Sequence, residues 1–143
     1  MILESEFVDL NTPTGIMRTY VHRPKSTSKL PAILFYSEIF QQTGPIERAA
    51  KILASHGFVV LVPEVFHELN EIGTVLNYDD AGRDKGNADK SEKDVQSYDT
   101  DNQAMIDWIN TQKWSNGHIG AMGFCIGGHL AFRAALNPDI KGA

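Results

Sequence analysis

His118-Ile119-Gly120-Ala121-Met122-Gly123-Phe124-Cys125-Ile126-Gly127-Gly128-His129-Leu130-Ala131-Phe132-Arg133-Ala134-Ala135-Leu136 is the stretch on which the reading of this chain turns. It opens with the short, mostly apolar character of a buried strand and closes on a run rich in helix formers. Between the two, the only cysteine of the chain is bracketed by Gly123, Gly127 and Gly128. A strand that turns directly into a helix strains the residue at the bend and presses the two backbones together, so its near neighbours must carry almost no side chain. The pattern predicts a nucleophile elbow with sulfur at its apex. A sulfur so placed faces free backbone N–H groups and the positive end of the helix dipole, which favour its anionic form. The N–H of Ile126 is then a natural oxyanion donor. The competing reading makes Cys125 a small buried hydrophobe, as most free cysteines are. Glycines at the required offsets favour the elbow.

Working outward, Pro31-Ala32-Ile33-Leu34-Phe35-Tyr36 is a continuous apolar run, typical of a strand covered on both faces. Thr43-Gly44-Pro45 can start a helix, and Ile46, Ala49, Ala50 and Leu53 recur at helical spacing until His56-Gly57. Phe58 to Pro63 reads as a second buried strand, which completes a parallel βαβ crossover and puts the chain in the α/β class. Near the start, Phe7 to Leu10 and Ile16 to Val21 flank the turn-forming Asn11-Thr12-Pro13-Thr14-Gly15 and are expected as two antiparallel edge strands. Residues 66 to 90 show no usable period and hold Asp79, Asp80, Arg83, Asp84, Lys85, Asn87 and Asp89 among glycines, which predicts a lid, a binding loop or a mobile connection. Ser91-Glu92-Lys93-Asp94 matches a capping box, with Val95, Tyr98, Asn102, Met105, Ile106 and Ile109 on one face of the helix that follows.

Composition narrows the function classes. With 143 residues, 42% hydrophobic and 22% charged, the chain fits one soluble domain with a real core. A net charge of −5 without any Lys/Arg cluster argues against a nucleic-acid partner. No apolar run approaches the ~20 residues of a membrane span, and Met1 to Glu6 lack the features of a secretion signal, so a cytoplasmic location is the default expectation and no membrane partner is expected. One cysteine makes neither a disulfide, a zinc set nor a CxxC pair, which leaves nucleophile as its natural role and no cofactor or metal expected. The acidic residues from Asp79 to Asp89 do not have EF-hand spacing.

The Ser37-Glu38-Ile39-Phe40 segment leaves the central strand at the same carboxyl edge as Cys125, the edge where open α/β sheets bind ligands. Glu38-Ile39-Phe40, the strand ending Val62-Pro63-Glu64-Val65-Phe66, and Gly123-Phe124-Cys125-Ile126-Gly127-Gly128 after Ser115-Asn116-Gly117 together resemble the dienelactone hydrolase family, in order along nearly the whole chain. That resemblance implies an α/β-hydrolase fold and hydrolysis of a small ester or lactone through a thioester. It implies Cys125 as nucleophile, Glu38 as the carboxylate that accepts the thiol proton when substrate binds, and Ile39 and Ile126 as oxyanion donors. Arg83 lies where the family has an arginine for the substrate carboxylate; it is either that contact or a surface residue paired to the neighbouring aspartates.

The family's catalytic Asp and His lie beyond the position of Ala143, and none of the five histidines is a convincing substitute; only His67 leaves a strand at the catalytic edge. Residues 1–143 are accordingly expected to be the N-terminal part of a single α/β-hydrolase domain, with a C-terminal half or a partner chain covering the edge of the elbow strand. Two other readings stay open. Class I amidotransferase glutaminases share the Gly-x-Cys-x-Gly elbow, and a cysteine without a base also suits a binding or redox-sensing module.

Overall fold

Strict alternation in two neighbouring strands divides the interior into two cores, one on each side of a single sheet. In the computed structural model, which describes residues 1–143, β3 (Leu30–Tyr36) and β4 (Val59–Pro63) run parallel, with Ala32 opposite Val59 and Leu34 opposite Leu61. Ala32, Leu34, Tyr36, Val59 and Leu61 point to the larger core, whereas Phe35, Val60 and Val62 point to the smaller one. Both faces are therefore apolar, which is why these strands read as unbroken hydrophobic runs. Helix α1 (Gly44–Ser55), with Pro45 in its first turn, connects β3 to β4 and buries Ile46, Ala50 and Ala54 in the smaller core.

The N-terminal hairpin joins β1 (Leu3–Thr12) to β2 (Gly15–Pro24) in unbroken antiparallel register from Leu3 opposite Pro24 to Thr12 opposite Gly15. Only β1 is an edge. The expectation of two edge strands fails for β2, because its buried Thr19, Val21 and His22 pair on with β4, Val21 standing opposite Leu61. With β5 (Ser115–Gly123) parallel to β3 on the far side, the sheet order is β1-β2-β4-β3-β5. The outer side of β5 is not wholly bare: Ile140 bridges Ile119 in parallel, Lys141 N–H donates to Ile119 O (2.7 Å), and Ala121 N–H donates to Gly142 O (2.8 Å). Beside this bridge lies an apolar hollow of about 350 Å³ lined by Ile33, Phe58, Ile119 and Met122 among others.

The segment expected to be a lid or loop contains a helix, α2 (Asp80–Glu92). The Asp79 side chain caps it by accepting from Gly82 N–H at 2.7 Å. Its buried residues are Gly82, Gly86 and Asp89, so it docks through absent side chains rather than an apolar stripe, and no hydrophobic period betrays it. A Cβ on Gly86 would lie 2.8 Å from Ile39 Cβ, which measures how closely α2 approaches the loop after β3. Helix α3 (Val95–Thr111) starts three residues later than the capping-box reading, with Asp94 as N-cap in place of Ser91, accepting from Gln96 N–H at 2.8 Å. Ser91 belongs to the end of α2, and Val95 is exposed; Met105, Ile106 and Ile109 carry the packing into the larger core. Helix α4 (Ile126–Ala134) adds Leu130, Ala131 and Ala134 on the same face.

Candidate active site

Cys125 stands between β5 and α4 with φ 58° and ψ −123°, the left-handed side of backbone space. Holding a non-glycine residue there costs about 1–3 kcal/mol, which close packing on both sides has to sustain. That packing is visible. A Cβ on Gly127 would lie 2.2 Å from Tyr36 O and 2.7 Å from Ser37 O, and one on Gly123 would lie 2.4 Å from the Gly127 carbonyl. Gly128 differs, since its nearest neighbour would be Gly123 O at 3.8 Å, an ordinary contact. Two glycines, not three, are demanded by the bend. Phe124 N–H donates to Tyr36 O (3.2 Å) and its ring meets Phe35 edge-on at 5.5 Å, tying the elbow to the end of β3. Cys125 itself is exposed, contrary to the buried-hydrophobe reading.

The same stitching brings the loop after β3 alongside the thiol. Ile39, Cys125 and Ile126 line one cavity of about 480 Å³, and the N–H groups of Ile39 and Ile126 donate no hydrogen bond within the chain. Both are thus available to an oxygen bound over the sulfur. Gln41 and Cys125 are the two non-glycine residues with positive φ, and they sit on the two turns that flank this cavity. The apolar hollow beside β5 shares none of these lining residues and is a different place.

Glu38 is half-buried, and its carboxylate is held by Tyr78 rather than by Cys125. The Tyr78 hydroxyl donates to Glu38 Oε2 (3.1 Å), lies 2.6 Å from Thr43 Oγ1, and its ring packs on Phe40 with centroids 4.7 Å apart. Burial pushes the Tyr78 phenol up, the Thr43 hydrogen bond opposes this, and the neighbouring Glu38 adds to the rise, so Tyr78 stays protonated as a donor.

Arg83 is exposed on α2 and pairs with Asp80 (3.3 Å) and Asp84 (3.4 Å), outside the residues that line the cavity. Three further residues line the cavity: Asn87 and Lys90, which the sequence did not single out as site residues, and His129, which was set aside there with the other histidines. The signal for the first two was the spacing of 87 and 90 on one helical face, which has no meaning until residues 80–92 are known to be a helix. His129 lies one turn along α4 from the cysteine.

His67 serves a buried cluster instead. Its Nε2 lies 3.1 Å from Asp101 Oδ1, while the Lys93 ammonium donates to Asp101 Oδ2 (2.5 Å), to Val65 O (2.6 Å) and lies 2.8 Å from Glu68 Oε1. His67, Glu68 and Asp101 are close enough to hold a metal ion, but the ammonium of Lys93 already supplies the cation. Burial raises the Glu68 carboxyl, yet the hydrogen bond and charge of Lys93 outweigh it and leave the group below its ordinary value.

No helix is long and apolar enough to cross a membrane. Across known proteins, the structure is similar to the crystal structure of a provisionally named dienelactone hydrolase from Klebsiella pneumoniae, with a TM-score of 0.84 and 21% identity over 99% of this chain and 58% of that one. In sequence, it is 40% identical to a provisionally named carboxymethylenebutenolidase of Saccharomyces cerevisiae over 98% of this chain and 53% of that protein. It is 28% identical to the carboxymethylenebutenolidase of Pseudomonas putida over 79% of this chain and 48% of that protein. The chain therefore spans about half the length of the curated relatives it matches. The family model for the dienelactone hydrolase family matches residues 17–143, which takes in β3, the Glu38 loop and the elbow together. An amidotransferase reading of the same cysteine falls away with that match, and the chain belongs to the dienelactone hydrolase family.

Proposed function

We propose that the protein hydrolyses a small ester or lactone with Cys125 as nucleophile. One observation carries this: an exposed cysteine held at a left-handed bend, with two unspent N–H groups, from Ile39 and Ile126, lining the same cavity. Glu38 takes the thiol proton as substrate enters, giving up its hydrogen bond from Tyr78, and Sγ forms a bond to the acyl carbon. The carbonyl electron pair moves onto the oxygen between the Ile39 and Ile126 donors. Collapse breaks the acyl C–O bond, and the proton passes to the leaving oxygen. Water then cleaves the thioester, releasing the acid and restoring the thiol. Each well-aimed oxyanion donor in such a site is worth about 2.7–4 kcal/mol in the barrier.

The names of the relatives favour a butenolide-like lactone or another small ester as the substrate. The test is turnover of a small activated ester by the full natural chain, compared with Cys125→Ala. Loss of about 10³-fold or more in kcat, with a covalent acyl adduct on the wild type under rapid quench, is the expected result. Unchanged turnover in Cys125→Ala refutes the nucleophile assignment.

A further inference from the structure

We infer that Tyr78, oriented by Thr43, is the positioning residue for Glu38 and holds its carboxylate turned from the Cys125 sulfur until a substrate enters. The inference rests on the reading of Glu38 as acceptor of the thiol proton and goes beyond it by naming the two residues that govern when Glu38 is free to act.

Three observations carry it. First, the bond from the Tyr78 hydroxyl to Glu38 Oε2 (3.1 Å) is the one hydrogen bond that the Glu38 side chain makes, and no cation pairs with it. Without Tyr78 the carboxylate has nothing to hold it in place. Second, Thr43 has left a conventional task to take part. It stands at the N-cap of α1, where a threonine hydroxyl ordinarily accepts from an N–H of the first turn. It makes no such bond and lies instead 2.6 Å from the Tyr78 hydroxyl. A phenol has one proton, and here it is directed at Glu38, so Thr43 must be the donor to Tyr78. The three groups form a directed chain from Thr43 through Tyr78 to Glu38. Third, the backbone that carries Tyr78 is clamped on both sides. Leu76 N–H donates to Phe40 O (3.1 Å), the Asp79 side chain caps α2, and a Cβ on Gly82 would collide with Asn77 O. With its ring against Phe40, the phenol is a rigid arm suited to fixing another group's position.

What the arm achieves is electrostatic. The start of α4 favours negative charge on the sulfur, and an ionised Glu38 left loose beside Sγ would oppose it. Fixing the carboxylate at Tyr78 keeps the two charges apart in the empty site. Substrate entry then has one hydrogen bond to break before Glu38 reaches the thiol proton.

The experiment uses the full natural chain. The rate at which iodoacetamide alkylates Cys125 at neutral pH, read by peptide mass spectrometry, follows the thiolate share and needs no ester turnover. Tyr78→Phe should slow it about 10-fold, as for one like charge brought within a few ångströms. In the double variant Tyr78→Phe with Glu38→Gln, the rate should equal that of Glu38→Gln alone; a merely structural tyrosine would act whatever stands at position 38. Thr43→Val should slow alkylation part of the way, and Thr43→Ser, which keeps the hydroxyl, should restore it. A second measurement follows the Tyr78 phenol by NMR of ring-labelled tyrosine. Burial raises its titration midpoint, the Thr43 bond lowers it, the Glu38 bond and charge raise it, and the charge of Arg48 lowers it. Glu38→Gln should therefore lower the midpoint and Thr43→Val raise it. An alkylation rate unchanged in Tyr78→Phe, the same slowing with Glu38→Gln present, or a Tyr78 midpoint indifferent to Glu38→Gln overturns the inference. Full ester turnover in Glu38→Gln, or turnover that persists in Cys125→Ala, overturns the underlying reading instead.

Discussion

Gly127 and Gly128 are adjacent, both belong to α4, and the structure predicts opposite outcomes when each becomes alanine. A Cβ at position 127 would stand 2.2 Å from Tyr36 O and 2.7 Å from Tyr36 C and Ser37 O, all backbone atoms that no rotamer change can move. To open the tightest contact even to 3.0 Å, α4 and the end of β3 must part by roughly 0.8 Å. The hydrogen bond from Phe124 N–H to Tyr36 O, 3.2 Å long, lies across the same gap and would stretch beyond bonding range. Overpacking costs about 1–3 kcal/mol, and the lost bond adds about 1 kcal/mol, so Gly127→Ala should destabilise by about 2–4 kcal/mol.

At position 128 the added methyl group meets only Gly123 O at 3.8 Å. There the higher helix propensity of alanine should stabilise by up to about 1 kcal/mol. Urea unfolding of the full natural chain, followed by circular dichroism, measures both. Movement of the Ile39 loop relative to Cys125 should also cost Gly127→Ala about 10²-fold in kcat on an activated ester. Gly127→Ala within about 0.5 kcal/mol of wild type, or equal destabilisation by the two substitutions, would refute the account of the elbow.

Two further predictions concern the buried cluster. Lys93→Met leaves the carboxylates of Asp101 and Glu68 facing each other without their ammonium and takes the donor from Val65 O, and it should cost about 3–5 kcal/mol in equilibrium unfolding. A loss below about 1 kcal/mol would mean that the cluster holds nothing together. Glu68 is depressed below its ordinary 4.5 in the folded state, so the unfolded chain binds its proton first as the pH falls. Its contribution is complete above 4.5 and drains away as the pH drops through the lower folded value. As the pH falls from 4.5 to that lower value, stability should drop less steeply in Glu68→Gln than in wild type, and parallel curves for the two count against the linkage.

What could be read from the sequence, and what could not, follows from how far each feature reaches along the chain. The βαβ unit shows itself because residues within β3, α1 and β4 each bury a regular subset of their own side chains. The elbow shows itself because its steric demand falls on Gly123 and Gly127, two and two residues from the cysteine. The inner position of β2 was hidden, since pairing with β4 brings together residues such as Val21 and Leu61 that are remote in sequence. Helix α2 was hidden for a different reason. Its contact surface is made of glycines and one aspartate, so the usual apolar period is missing although the Asp79 cap is conventional. With α2 went Asn87 and Lys90. Tyr78 as partner of Glu38 was equally out of reach, since 40 residues separate them and nothing local marks the pair.

The charged side chains on and around α2 sort into pairs whose burial sets what each one does. Asp80 and Asp84 take Arg83 on the outer face of α2, Asp89 takes Lys85 on the inner side, and Asp101 with Glu68 takes Lys93 in the interior. These pairs differ greatly in worth. The exposed ones contribute at most about 1 kcal/mol and are screened by salt, whereas the Lys93 group is desolvated and must stay satisfied for the fold to hold.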